Sequence, residues 1–84
     1  MNYSVDWDDD PLATLAVIWT AAPNRQAVTA AQAEIDRLLA SNPLAHGRPS
    51  SEGLYAITIP PLRAQYEIYH ANRSVKVVSV SELA

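Results

Sequence analysis

The chain has 84 residues, 49% of them hydrophobic, and a formal charge of -3, which leaves room for one small domain around one core. The absence of cysteine excludes a disulfide framework, thiolate chemistry and cysteine-held zinc, and an isoelectric point near 5.1 argues against a protein built to grip nucleic acid by its phosphates. No apolar run approaches the roughly 20 residues that span a bilayer, and the opening residues lack the basic and apolar segments of a signal peptide, so the expected location is the cytoplasm.

In chain order, Tyr3, Val5 and Trp7 alternate with Asn2, Ser4 and Asp6, the signature of a short strand with one apolar face. Asp8, Asp9 and Asp10 stop it. Asp10 reads as the N-cap of a first helix, with Pro11 at the first helical position and the acidic run on the positive end of the dipole. A carboxylate metal cluster is the alternative, but adjacent residues diverge and no matching ligands follow, so no metal and no cofactor are expected.

The first helix is expected over Pro11–Ala22. Leu12, Leu15, Ala16, Trp19 and Ala22 fall on one helical face, and Val17 and Ile18 widen the apolar sector toward a second covered side. Pro23 ends it and Asn24 can cap a second helix over Arg25–Ala40. Val28, Ala31, Ile35, Leu38 and Leu39 form its buried stripe, with Gln26, Thr29, Glu34 and Arg37 outside. So short a break makes the two an antiparallel hairpin, which has only a sheet against which to bury its stripe. Asn42-Pro43 closes the second helix, and 43–53 reads as a loop in which His46 is a solvated histidine rather than a base or ligand.

Three strands follow: Leu54–Ile59, Leu62–His70 and Ser74–Ser81, separated by Pro60-Pro61 and by Ala71-Asn72-Arg73. That is an antiparallel meander. On the middle strand Leu62, Ala64, Tyr66 and Ile68 belong against the helices, and Arg63, Gln65, Glu67 and Tyr69 point away. The last strand has a mixed phase, with Val75 and Val77 on one face and Val78 and Val80 on the other. It is expected to be interior or covered by a partner. The fold class is α+β, ordered β-α-α-β-β-β, with the helices on one face of the sheet. A chain this short buries only about 60% of its unfolded surface, so a partner chain or a homodimer would add burial.

Taken together, Tyr3-Ser-Val-Asp-Trp7, the Ala/Leu-rich hairpin, Leu39…Pro43…Gly47-Arg48-Pro49, Gly53-Leu-Tyr-Ala-Ile-Thr-Ile59 and Leu62-Arg63-Ala-Gln-Tyr66-Glu-Ile68 with the Val-rich last strand resemble the RelE/ParE superfamily of toxins from type II toxin–antitoxin modules. The resemblance spans nearly the whole chain, and Arg63-x-x-Tyr66 is its best anchor. It implies a toxin neutralised by a cognate antitoxin, one that presents a helix or extended segment across the hairpin and along the sheet. Val17, Ile18 and Trp19 are the helix-side candidates for that contact, and strand one or the outer meander strand offers an edge.

RNA-cleaving members of the family resemble Tyr-Lys-Ile-Lys-Leu on the first meander strand and carry a basic, aromatic tail. Here the strand is Tyr55-Ala56-Ile57-Thr58-Ile59 and the end is Ser81-Glu82-Leu83-Ala84, so Ala56, Thr58 and Leu83 stand where a nuclease would want cations. Cleavage through a 2′-hydroxyl needs a base, cations for the phosphorane and an acid for the leaving oxygen. Arg63 remains, joined on the open face by Tyr69, with Tyr66, His70, Arg73 or Lys76 to improvise the rest. The leading expectation is a ParE-like toxin that acts by binding, the family target being DNA gyrase. The alternatives are a non-toxic, repurposed binding module and a ribosome-dependent mRNA endonuclease.

Overall fold

The computed structural model describes residues 2–83. The elements are β1 (Ser4–Trp7), α1 (Asp9–Ala21), α2 (Arg25–Ser41), α3 (Pro43–His46), β2 (Arg48–Ser51), β3 (Leu54–Ile59), β4 (Leu62–Tyr69) and β5 (Ser74–Glu82), with a 3-10 turn over His70–Asn72 between the last two strands. The sheet runs β1-β5-β4-β3-β2. β1 pairs with β5 in parallel and every other pair is antiparallel. The α1–α2 hairpin lies on one face, α1 against β5 and α2 against β3, β1 and β4. The α+β class and the meander expected from the sequence are the ones observed.

The core lies between α2 and the inner face of the sheet. Val28, Ala31, Ile35 and Leu39 meet Leu62, Ala64, Tyr66, Val75 and Val77, all of them buried. Each large apolar side chain so enclosed contributes about 1.5–3 kcal/mol. Asn24 caps α2 as expected, its side chain accepting from the Ala27 amide at 3.1 Å.

Five expectations are corrected. Helix α1 begins two residues early: Asp8 occupies the N-cap, its side chain makes no capping bond, and Pro11 is the third helical residue. The first i→i-4 bond is from Leu12 to Asp8, so Pro11 lacks only an amide that would have had no helical partner. Second, the buried face of α1 is Pro11, Leu15 and Ile18, whereas Leu12 and Trp19 are 44% and 42% exposed. The observed inner face is rotated from the periodic one, because a helix apolar almost all round does not mark its inner side.

Third, 43–53 is not a plain loop. Asn42 caps the short helix α3, accepting from the Ala45 amide at 3.3 Å, and Arg48–Ser51 adds an edge strand to β3. The free edges are therefore β1 and β2, and the outer meander strand β3 is covered. Fourth, the mixed phase of β5 has a local cause beyond its interior place. Gln65 pairs with Ser79 but Tyr66 pairs with Val77, so Val78 is a bulged residue and Val80 returns to the core face. His70, expected to end β4, begins the 3-10 turn.

Candidate functional site

The face of the sheet away from the helices is built by β4, whose alternate residues Arg63, Gln65, Glu67 and Tyr69 project outward, as expected. The register sets their neighbours. Arg63 lies between Thr58 and Ser81, Gln65 between Ala56 and Ser79, and Glu67 beside Lys76. Arg48 follows Ala56 on the edge strand.

A chain of hydrogen bonds crosses this face. The Ser79 hydroxyl donates to Gln65 Oε1 at 2.9 Å, Gln65 Nε2 donates to Ser50 Oγ at 2.8 Å, and Arg63 Nη2 reaches the same oxygen at 3.4 Å. Arg63 is thus tied across the small Ala56 rung to the edge strand. Beside it a hollow of ≈ 420 Å³ is lined by His46, Arg48, Ala56, Ile57 and Thr58. Short side chains at positions 56 and 58 leave that space.

The other candidates do not gather round Arg63. Tyr69 lies six positions along the same strand, about 20 Å away at strand rise. His70 and Arg73 belong to the turn beyond it, where Arg73 adopts the left-handed conformation with φ 48°. Lys76 stands on a rung between Asp6 and Glu67, 3.9 Å from an Asp8 carboxylate oxygen and 5.8 Å from the Tyr69 ring. Acids surround its charge.

Tyr66 faces the core. Its hydroxyl donates to the Pro43 carbonyl at 2.6 Å, its ring stacks on Tyr55 with centroids 5.9 Å apart, and burial pushes its pKa up to about 12. A phenol so placed is neither exposed nor ionised at neutral pH, and it holds the start of α3 rather than a substrate. His46 is exposed at the end of α3. Among the described residues, no three His, Asp or Glu side chains are grouped to hold a metal.

On the helix side the three candidates separate. Ile18 is buried at 9% exposure and belongs to the core, whereas Val17 is 69% exposed and Trp19 is on the surface. Trp19 is held firmly: its Nε1 donates to Thr29 Oγ1 at 3.1 Å, and the Arg25 guanidinium sits 4.8 Å above its ring. Arg25 also donates to the Trp19 and Thr20 carbonyls at 3.2 and 3.0 Å, closing the C-terminus of α1. The sequence did not reveal Ser50, Gln65 and Ser79 as a bonded set, because Ser50 lies on an edge strand whose Arg-Pro-Ser-Ser composition reads as loop.

A strand, a helical hairpin and a mostly antiparallel sheet open on one face make a small α+β fold, and solved structures share it. No family model and no curated protein matches the sequence. The structure matches a toxin–antitoxin complex RelBE of Mycobacterium tuberculosis with a TM-score of 0.81 at 19% identity, over 98% of this chain and 99% of that one. It matches the chromosomal ParDE system of P. aeruginosa with a TM-score of 0.76 at 16% identity, over 98% and 97% of the chains. The isolated RelE toxin of E. coli gives 0.68 at 19% identity, over 98% and 85%. The chain has the RelE/ParE toxin fold.

Proposed function

We propose that this chain is the toxin of a type II toxin–antitoxin module, that it acts by binding a cellular target, and that a cognate antitoxin neutralises it. The fold supports the first part, since toxins crystallised with their antitoxins share it along their whole length. One observation carries the second part. Arg63, hydrogen-bonded to Ser50, stands beside a hollow lined by Arg48 and a single histidine, His46, and no carboxylate or tyrosine lines that hollow to make the second proton transfer. Phosphodiester cleavage needs both proton transfers as well as cations, and Tyr69, His70 and Lys76 cluster at the far end of the strand. DNA gyrase is the target class that the binding-type reading implies.

The exposed edge strand β2 is the place for an antitoxin segment to add along the sheet. The decisive experiment is controlled expression in bacteria. Growth arrest, rescue by the antitoxin of the neighbouring reading frame, intact mRNA by primer extension, and inhibition of gyrase supercoiling by the purified chain are expected. Ribosome-dependent cuts in mRNA that vanish in Arg63→Ala would replace this reading with an endonuclease. The absence of any growth defect would replace it with a repurposed binding module, a reading that the uncovered apolar face of α1 also favours.

A further inference from the structure

Helix α1 has a composition that one buried face does not explain. From Pro11 to Ala22 it carries no charged residue, yet only Pro11, Leu15 and Ile18 are buried. The opposite side exposes Leu12, Val17 and Trp19, with Ala13, Ala16 and Thr20 between them. Two adjoining hollows, of ≈ 490 and ≈ 340 Å³, share Ala16 and Thr20 and make this side a shallow apolar trough. A continuous apolar surface of this kind on a small monomer marks an interaction site.

The ends of the trough say what fits it. Asp9 and Asp10 are exposed in the first turn, and Asp9 heads the row that continues through Ala13, Ala16 and Thr20. The other end is basic, because the Arg25 guanidinium is fixed against the Trp19 and Thr20 carbonyls. Asp9 precedes Ala16 by about 10 Å of helix, and the guanidinium, one hydrogen bond past the Thr20 carbonyl, follows Ala16 by about the same distance. A two-fold axis at Ala16 therefore sets the acidic end of one α1 on the basic end of another. It places Leu12 opposite Thr20, lets the small Ala13 and Ala16 bring the helices close, and opposes the two helix dipoles.

We infer that the occupant of this face is a second copy of the chain, in an antiparallel, isologous α1–α1 dimer closed at each end by Asp9 against the partner subunit's Arg25. Self-complementarity of one patch is what such symmetry requires. The contact is small, at or below the roughly 1,200 Å² of the weaker specific interfaces, so the dimer dissociates in the micromolar range, about 1–100 µM. It leaves the open sheet face and the β2 edge free. It does not depend on the toxin reading and stands whether or not the chain arrests growth.

The test is sedimentation velocity on the full chain, made by cell-free synthesis so that toxicity selects nothing, from about 1 to 500 µM on either side of the expected constant. Wild type should shift from monomer to dimer with concentration, more strongly at low salt. Val17→Glu, at an exposed position, should remain monomeric with an unchanged circular dichroism spectrum. Asp9→Arg/Asp10→Arg should weaken the dimer about tenfold or more, and adding Arg25→Glu to it should restore association, since both ends then pair again. A monomer at every concentration overturns the proposal, and so does a monomer whose α1 face is covered only when an antitoxin is added. A dimer indifferent to Val17→Glu, or to the charge reversals, places the interface elsewhere and overturns it equally.

Discussion

Tyr66 ties the start of α3 to the sheet. It is fully buried, and its hydroxyl is the partner of the Pro43 carbonyl. Tyr66→Phe keeps the ring and its stacking on Tyr55 but orphans that carbonyl, so a loss of about 1–2 kcal/mol is expected in urea unfolding. The phenol also ties stability to alkaline pH. Its folded pKa is raised to about 12 from an ordinary value of 10.0, because burial disfavours the phenolate. A raised folded pKa means that the contribution is complete below pH 10 and is lost as pH climbs from 10 to 12, by up to about 2–3 kcal/mol. In the Tyr66→Phe variant the corresponding fall should be absent, and a fall of equal size there would assign it to other groups.

The glycine against that hydroxyl is constrained by the same contact. A Cβ on Gly47 would overlap the Tyr66 hydroxyl and ring and crowd the Ala56 carbonyl, which is backbone and does not yield. Gly47→Ala should therefore cost about 1–3 kcal/mol by overpacking. It should cost less in the Tyr66→Phe background, where the nearest clashing atom is gone. Equal losses in both backgrounds, measured as a double-mutant cycle, would deny the coupling.

Among the elements, α1 gives the clearest test of which side is inside. Ile18→Ala empties a core position facing the sheet and should cost about 2–3 kcal/mol, while Val17→Ala, one residue earlier on an exposed side, should stay within about 0.5 kcal/mol. The sequence showed that α1 is a helix but not how it is rotated, because after its two aspartates its apolar and small side chains surround the axis almost evenly. Helix α2 was legible to within one residue at its end, and so was its stripe apart from Leu38, which is only partly buried, since Arg37 and Gln26 mark its wet side. The meander was legible from alternation and from Pro60-Pro61. The edge strand β2 was not, because all four of its residues are exposed and no apolar phase can announce it. Val78 shows the reverse problem: a bulge breaks the two-residue period, and a broken period in sequence looks like two apolar faces. Of the site, Arg63 and its outward direction could be read, whereas the bond that ties it to Ser50, which also accepts from Gln65, required the strand that could not.

For the whole molecule the charge distribution limits what nucleic acid can gain from it. The net charge is -3, and the cations on the open sheet face are few. Arg48 and Arg63 lie near the hollow beside β2, while Lys76 is surrounded by Asp6, Asp8 and Glu67 and has little field left to offer a phosphate. Each phosphate neutralised on a single strand adds about -0.7 to the slope of log affinity against log salt. Two arginines meeting two phosphates give a slope of about -1.4, with weak binding throughout. Fluorescence anisotropy with a labelled single-stranded RNA, between about 50 and 200 mM salt, reads that slope directly. A slope near -1.4 or flatter, halved by Arg63→Ala, is what an incidental arginine on an acidic protein should give. A slope steeper than about -3 would require at least four cations on the RNA, more than this face supplies, and would return the open sheet to the role of a nucleic-acid interface.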